Sequence, residues 1–283
     1  MNPLGPLVLA GSGEYTPAMD IVDRYLLDVV AGKPVLLIAT SCAMEGEDVM
    51  TKWEQMGVEH FKRLGIDATP VRIKDQADAN VPAHAELIAE AGLVWFSGGS
   101  PVYLAQAFHE TLSWHALEAA NRRGAAVAGA SGGLGVLNAD IPNLAGPVPP
   151  AGATALEARL EAPANPATRP SAAPPPLRRR GGGWGEGSGP TALGLAAPIR
   201  AMAHFDRAEQ RRPEFVQRVL DSLQPGQVAV GVDEDTTLVW TEDRWRVMGH
   251  KRVVLFENGN RTIYHHDDVI DRLPPPTRAT QPF

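Results

Sequence analysis

Apolar residues in the first half of the chain come in short unbroken runs, Leu7–Ala10, 35–39, Leu93–Phe96 and 125–128, separated by longer stretches of mixed polarity. A run of four or five residues with no polar position is what a strand buried on both faces requires. Residues 69–73 read as a further strand. The intervening stretches carry helical periodicity at about 18–30, at 49–64 ending on Gly65, near 84–91, near 102–110 and at 114–123. Strands alternating with helices predict an α/β fold, a three-layer α/β/α sandwich around a mostly parallel sheet. In such sheets the ligand crevice lies beyond the carboxyl ends of the strands. Glycine-rich turns fall at those ends, at 11–13, 98–99 and 129–133, and can converge on one crevice.

The pattern breaks at about residue 143. From there to 190 Pro, Ala, Gly and Arg dominate, and Lys and Ile are absent. Such a segment has too little apolar surface to offset its ordering entropy. It reads as a disordered or loosely packed insertion with at most a short helix around 155–160. Order resumes at Leu193, with a helix over 213–223 and a strand over 227–232. Short antiparallel strands at 237–240, 244–248 and 253–256 are expected at one edge. The organisation expected is one α/β domain over 1–283, interrupted at 143–190, with a Pro-rich tail at 274–283 that frays.

Composition narrows the function classes. The net charge is −7 over 283 residues, and the only basic run, Arg178 to Arg180, lies in the low-complexity segment. No basic stripe is available to neutralise phosphates, which argues against nucleic acid as a partner. The single cysteine, Cys42, excludes an internal disulfide framework and fits a reducing cytoplasm. No window approaches 18 uninterrupted apolar residues, so no membrane span is expected, and the apolar start reads as a core strand. An apolar edge such as 253–256 can pair across a homodimer.

The densest chemical signal is at 129–133, Gly-Ala-Ser-Gly-Gly, directly after an apolar strand. This is the G-x-S-x-G pattern of a nucleophile elbow, in which a tight strand-to-helix turn exposes the hydroxyl of Ser131. A serine hydroxyl needs a base to remove its proton, and the base needs an acid to orient it. The same letters also resemble the phosphate-binding turn of short-chain dehydrogenases. That reading expects the turn near the domain start and an acidic residue about 20 positions later. Here the turn is mid-chain, the residues near 149 are prolines and alanines, and no tyrosine has a lysine four places on.

Among the eight histidines, His60, His84, His109 and His115 lie in or beside expected helices and read as solvated or capping residues. His265 and His266, followed by Asp267 and Asp268, suggest a metal cluster, but adjacent residues of a strand face opposite ways. His204 differs, because it falls between a loop and a helix, where it can reach a crevice. The acidic run Asp233-Glu234-Asp235 follows an apolar strand and so lies at a strand's carboxyl end.

Gly11-Ser-Gly-Glu-Tyr, Phe96-Ser-Gly-Gly-Ser-Pro, Gly129-Ala-Ser-Gly-Gly, His204-Phe-Asp and Gly231-Val-Asp-Glu-Asp-Thr stand in the order used by one family. Over residues 5–140 and 193–256 the chain resembles the dipeptidase E and cyanophycinase family of serine peptidases. That family has the flavodoxin-like, class I glutamine amidotransferase-like α/β fold. The resemblance implies Ser131 as nucleophile, His204 as base and Glu234 as acid, with backbone N–H groups of Gly99 and Gly132 as the oxyanion hole. It places Gly13, Glu14 and Gly98 against the substrate, a small peptide, and implies no cofactor and no metal. Three departures stand out: the family has alanine then glycine after the serine, where this chain has Gly132-Gly133; the segment after Asn138-Ala139-Asp140 is replaced by the insertion; and the arginine-rich stretch is kept only in part, as Arg207, Arg211 and Arg212. The alternative reading is an inactive member of the fold that binds a small molecule or acts as a scaffold.

Overall fold

The computed structural model describes residues 4–138 and 192–277. The expected insertion and its short helix at 155–160 lie outside the described residues. The main sheet has seven strands, β1 (Leu7–Ala10), β2 (Val35–Ile38), β3 (Ala68–Pro70), β4 (Leu93–Phe96), β5 (Ala126–Ala130), β8 (Thr236–Thr241) and β9 (Arg244–Gly249). Its order is β3-β2-β4-β5-β1-β8-β9, with the five strands from β3 to β1 parallel and β8 and β9 added antiparallel.

Alternate residues of the apolar strands serve opposite faces. Val8, Ala10, Leu37, Trp95 and Ala128 pack on one side against α1 (Asp20–Val30) and α2 (Glu47–Arg63), through Val22, Leu26 and Phe61. Leu7, Leu9, Ile38, Phe96 and Val127 pack on the other against α4 (Pro82–Glu90), α5 (Pro101–Phe108), α6 (Leu112–Arg122) and α7 (Gly132–Leu137). A one-turn helix, α3 (Gln76–Ala79), precedes α4 and is capped by the Asp75 carboxylate, which accepts from the N–H groups of Ala77 and Asp78. This is the class I glutamine amidotransferase-like α/β fold with a mostly parallel central sheet.

The second half departs from expectation in a way that matters for the site. The strand expected at 227–232 does not join the main sheet. It is β7 (Val228–Val232) of a separate four-stranded sheet, together with β6 (Ile199–Met202), β10 (Val253–Glu257) and β11 (Asn260–Tyr264), in the order β11-β10-β7-β6. One face of this sheet joins the main core through Ile199, Val230, Val232, Val253 and Leu255. Its other face, with Met202, Ala229 and Val254, is covered by α8 (Phe205–Arg211) and α9 (Pro213–Asp221) through Phe205 and Val219. The run 253–256 is therefore no edge: β10 is paired with β7 on one side and β11 on the other, so it offers no free strand for a homodimer. Of the expected tail at 274–283, residues 274–277 are tied to the core, Thr277 donating its N–H to the Ala197 carbonyl and Pro274 accepting from the Trp245 indole, while 278–283 lie outside the described residues.

Candidate active site

Ser131 sits between β5 and α7 with φ 50° and ψ −108°, a conformation that costs an L-residue energy and persists only where the surroundings enforce it. The enforcement comes from backbone packed on backbone. A Cβ at Gly129 would overlap the Gly133 carbonyl, one at Gly133 the Phe96 carbonyl, and one at Gly132 the Gly99 carbonyl. The turn is closed by Ser131 N–H donating to the Ala10 carbonyl at 3.1 Å and by Gly135 N–H donating to the Ser131 carbonyl at 3.0 Å. The G-x-S-x-G letters thus correspond here to a strained turn in which backbone lies directly against Gly129, Gly132 and Gly133.

His204 is delivered by β6, which sequence periodicity did not reveal. The strand is four residues long with buried Arg200 within it, and its side away from β7 is satisfied by a side chain instead of another strand. Asn138, just past α7, accepts from Ala201 N–H at 3.0 Å and donates to the Ala201 carbonyl at 2.9 Å. Past the strand end the chain turns through a left-handed residue, His204 itself, with φ 49°, and starts α8. The His204 ring is buried, with Nε2 2.9 Å from Ser131 Oγ and Nδ1 2.8 Å from Glu234 Oε1.

Glu234 follows β7, as its acidic run predicted. Its other oxygen pairs with Arg207 at 3.1 Å. The bond from His204 lowers the Glu234 carboxyl below the usual range; burial opposes this, and the Arg207 charge adds to it. An ionised carboxylate can only accept, so the proton of the neutral ring sits on Nδ1 and Nε2 is left bare toward the serine. Around this core lies a ring of ion pairs. Asp206 accepts from Glu234 N–H at 3.3 Å and pairs with Lys251 at 2.6 Å, while Arg252 pairs with Asp233 at 2.8 Å. Burial pushes the Asp206 carboxyl up, but the Lys251 bond and the backbone N–H outweigh it and the net shift is downward.

The remaining residues implied by the resemblance lie around the same strand ends. Glu14 is buried, and its Oε1 accepts from Gly98 N–H at 2.8 Å. A Cβ at Gly98 would stand 3.0 Å from that oxygen and 3.3 Å from Ser131 Cβ, so the carboxylate, the turn and the serine are close neighbours. Gly99, at φ 136°, is wedged between the Ser41–Cys42 peptide and Gly132. Gly13, at φ 91°, turns beside Asp235, whose N–H donates to the Ser12 carbonyl.

Among the other histidines, His60 is a correction. It is neither solvated nor a cap but buried, 2.8 Å from Asp23, among the rings of Tyr15 and Phe61. His265 and His266 lie beside the loop after β11, where Asp268 accepts from His265 N–H and His266 Nδ1 accepts from Gly249 N–H. Among the described residues there is no group of three or more His, Cys, Asp or Glu side chains placed to hold a metal ion, and no helix long and apolar enough to cross a membrane. A surface cavity lined by Lys33, Pro34, Glu90 and Arg123 lies at the amino ends of the strands, the end opposite the serine. Sequence reasoning passed over Ser41 and Lys251, and met Asp206 only as the last letter of the His204-Phe-Asp motif, with no role. The one available signal for Ser41 was its place just past the carboxyl end of β2, on the same rim as the glycine turns.

No family model and no curated protein matches the chain. Solved structures do. The chain is similar to the crystal structure of a peptidase from an acI-B1 Actinobacterium, at 26% identity and a TM-score of 0.75, over 95% of this chain and 97% of the other. It is also similar to a protein provisionally called peptidase E from Listeria monocytogenes EGD-e, at 13% identity and a TM-score of 0.50, over 92% of this chain and 98% of the other. The second likeness is one of fold. The first is a likeness to a peptidase over nearly the whole of both chains.

Proposed function

We propose that the protein is a peptidase that hydrolyses peptide or amide bonds of small peptides through a serine acyl-enzyme, with Ser131, His204 and Glu234 as its triad. The whole-length likeness to a peptidase supports the peptidase activity. The serine mechanism rests on one observation: a relay of 2.9 Å and 2.8 Å from a strained elbow serine through a buried histidine to an ionised carboxylate.

His204 Nε2 takes the proton of Ser131 as Oγ attacks the substrate carbonyl. The imidazolium that forms is stabilised by Glu234 through Nδ1–H. It then protonates the leaving amine as the C–N bond breaks, and the amine departs. Water attacks the resulting ester with His204 again as base, which releases the acid and restores the hydroxyl. The tetrahedral oxyanion in each half is held by backbone N–H groups of Gly132, the first residue of α7, and Gly99. Loss of one such donor typically costs about 3 kcal/mol of transition-state stabilisation. The bond from His204 and the charge of Arg207 keep Glu234 ionised and in place.

The test is the intact mass of the protein after treatment with a fluorophosphonate, beside Ser131→Ala and His204→Ala. A single adduct on the wild type that is absent from both variants is the expected result. No adduct on folded wild type would overturn the hydrolase reading in favour of a binding protein on the same fold.

A further inference from the structure

The oxyanion donor assigned to Gly99 is a backbone group on a glycine-rich turn, and a glycine turn does not hold its own direction. Something must fix which way that N–H points. The residues that surround the turn are Glu14, on the Gly98 side, and Ser41, which enters the short 3-10 turn Thr40–Glu45 directly after β2.

Ser41 is buried and makes three contacts to this one turn. Its hydroxyl lies 2.6 Å from the Gly98 carbonyl oxygen and 2.7 Å from the Ser97 carbonyl oxygen, and its own carbonyl accepts from Ser100 N–H at 2.7 Å. The Gly98 carbonyl and the Gly99 N–H are opposite ends of one planar trans peptide. A donor that pins the oxygen therefore aims the N–H the other way. The remaining freedom is removed on each side: Glu14 holds the preceding peptide through Gly98 N–H at 2.8 Å, and a Cβ at Gly99 would stand 2.5 Å from the Ser41 carbonyl oxygen.

We infer that Ser41 is a positioning residue for the oxyanion hole: its hydroxyl, bonded to the Gly98 carbonyl, sets the direction in which the Gly99 N–H meets the developing negative charge. Ser41 does not touch the triad, and its role rests on the reading of Ser131 as nucleophile. It acts on the transition state more than on the bound ground state, because the carbonyl oxygen moves fully into reach of the donors only as it becomes tetrahedral.

The experiment follows the rate of fluorophosphonate labelling against reagent concentration for the wild type, Ser41→Ala and Ser41→Thr, with thermal midpoints measured on each. The phosphoryl oxygen of the probe occupies the place of the oxyanion, so no natural substrate is needed. Removing an oxyanion donor outright typically lowers turnover by ~10²–10³, so misaiming one should lower the limiting labelling rate of Ser41→Ala by ~10- to 100-fold. The half-saturating concentration should stay unchanged, and Ser41→Thr, which keeps the hydroxyl, should recover most of the rate. Ser41→Ala labelling as fast as wild type would overturn the inference and leave the nucleophile reading standing. So would an equal slowing in both variants with lowered midpoints, which is the mark of a packing role. Failure of the wild type to label would remove the nucleophile reading itself, and this inference with it.

Discussion

Ser131 and His204 are suspended from adjacent carbonyls at the end of a single strand. Ser131 N–H donates to Ala10 at 3.1 Å, and His204 N–H donates to Gly11 at 3.2 Å. Two residues separated by 73 positions thus take their spacing from one peptide unit past β1, and their side chains meet at 2.9 Å. Gly11 can serve this way only because it lacks a side chain, since a Cβ there would overlap the carbonyl of Asp233, the residue before Glu234. One point past β1 therefore registers serine, histidine and acid loop together.

Gly11→Ala should accordingly loosen all three at once. Overpacking against backbone typically costs about 1–3 kcal/mol, and backbone yields least, so a loss at the upper end is expected. Chemical denaturation should show this lowered stability, and fluorophosphonate labelling of the folded fraction should be slowed. Unchanged labelling would mean that the loop shifts without disturbing the relay.

Gly132→Ala restores the residue that the family has after its serine, yet here it should impair the protein. The new methyl would meet the backbone of Gly99, the other proposed oxyanion donor. We expect labelling to fall and stability to drop by about 1–3 kcal/mol. A variant that labels faster than wild type would show that the turn relaxes to accept alanine.

Glu234→Gln keeps the size of the acid and removes its charge, so the ring is no longer held in the tautomer that leaves Nε2 bare. A loss on the order of 10⁴-fold in turnover is expected, comparable with removal of the orienting acid in other triads. Peptide hydrolysis by the purified variant measures it. A loss below about tenfold would point to another acid, such as Asp206, as the orienting group.

The same carboxylate links activity to acid stability. Its folded value lies below the unfolded one, near 4.3, so ionised Glu234 stabilises the fold above that pH. The contribution is lost as pH falls through the lower folded value. Asp206, held down by Lys251 against the effect of burial, behaves in the same sense. Urea midpoints measured over decreasing pH should decline for the wild type below about pH 4 and decline less for Glu234→Gln. Parallel curves would mean that the pairing with His204 contributes nothing to stability.

Cys42 is the one thiol in the chain, and burial pushes it up to about 12. Since the thiolate is the reactive form, iodoacetamide at neutral pH should leave the folded protein unmodified and its serine labelling intact. Rapid alkylation with loss of labelling would place an accessible thiol beside the Gly99 turn.

How far the sequence reached depended on where the information lay. β1, β2, β4 and β5 were legible because a strand buried on both faces must be apolar at every position, and each is such an unbroken run. The elbow was legible because backbone packs so closely on its flanks that small residues, Gly129, Ala130, Gly132 and Gly133, surround the serine. β6 was not, because Arg200 interrupts its apolar run and its far side is completed by Asn138, a contact across the chain with no local trace. The separate sheet of β6, β7, β10 and β11 was missed for a related reason. Alternation says that a segment is a strand, but not which of two sheets it joins.

Taken alone, the chain predicted the parallel α/β core and the crevice at its strand ends, because each rests on local letters, apolar runs and glycine turns, and it marked Ser131, His204 and Glu234 as candidates through their place in motifs that resemble one family's. Tertiary structure decided what those residues can do. The spacing of Ser131 and His204, the ionisation of Glu234, the strain at Ser131 and the bracing of Gly99 by Ser41 all depend on backbone groups brought together from distant segments. A hydrogen bond is sensitive to tenths of an ångström, and only the packed fold specifies position that finely.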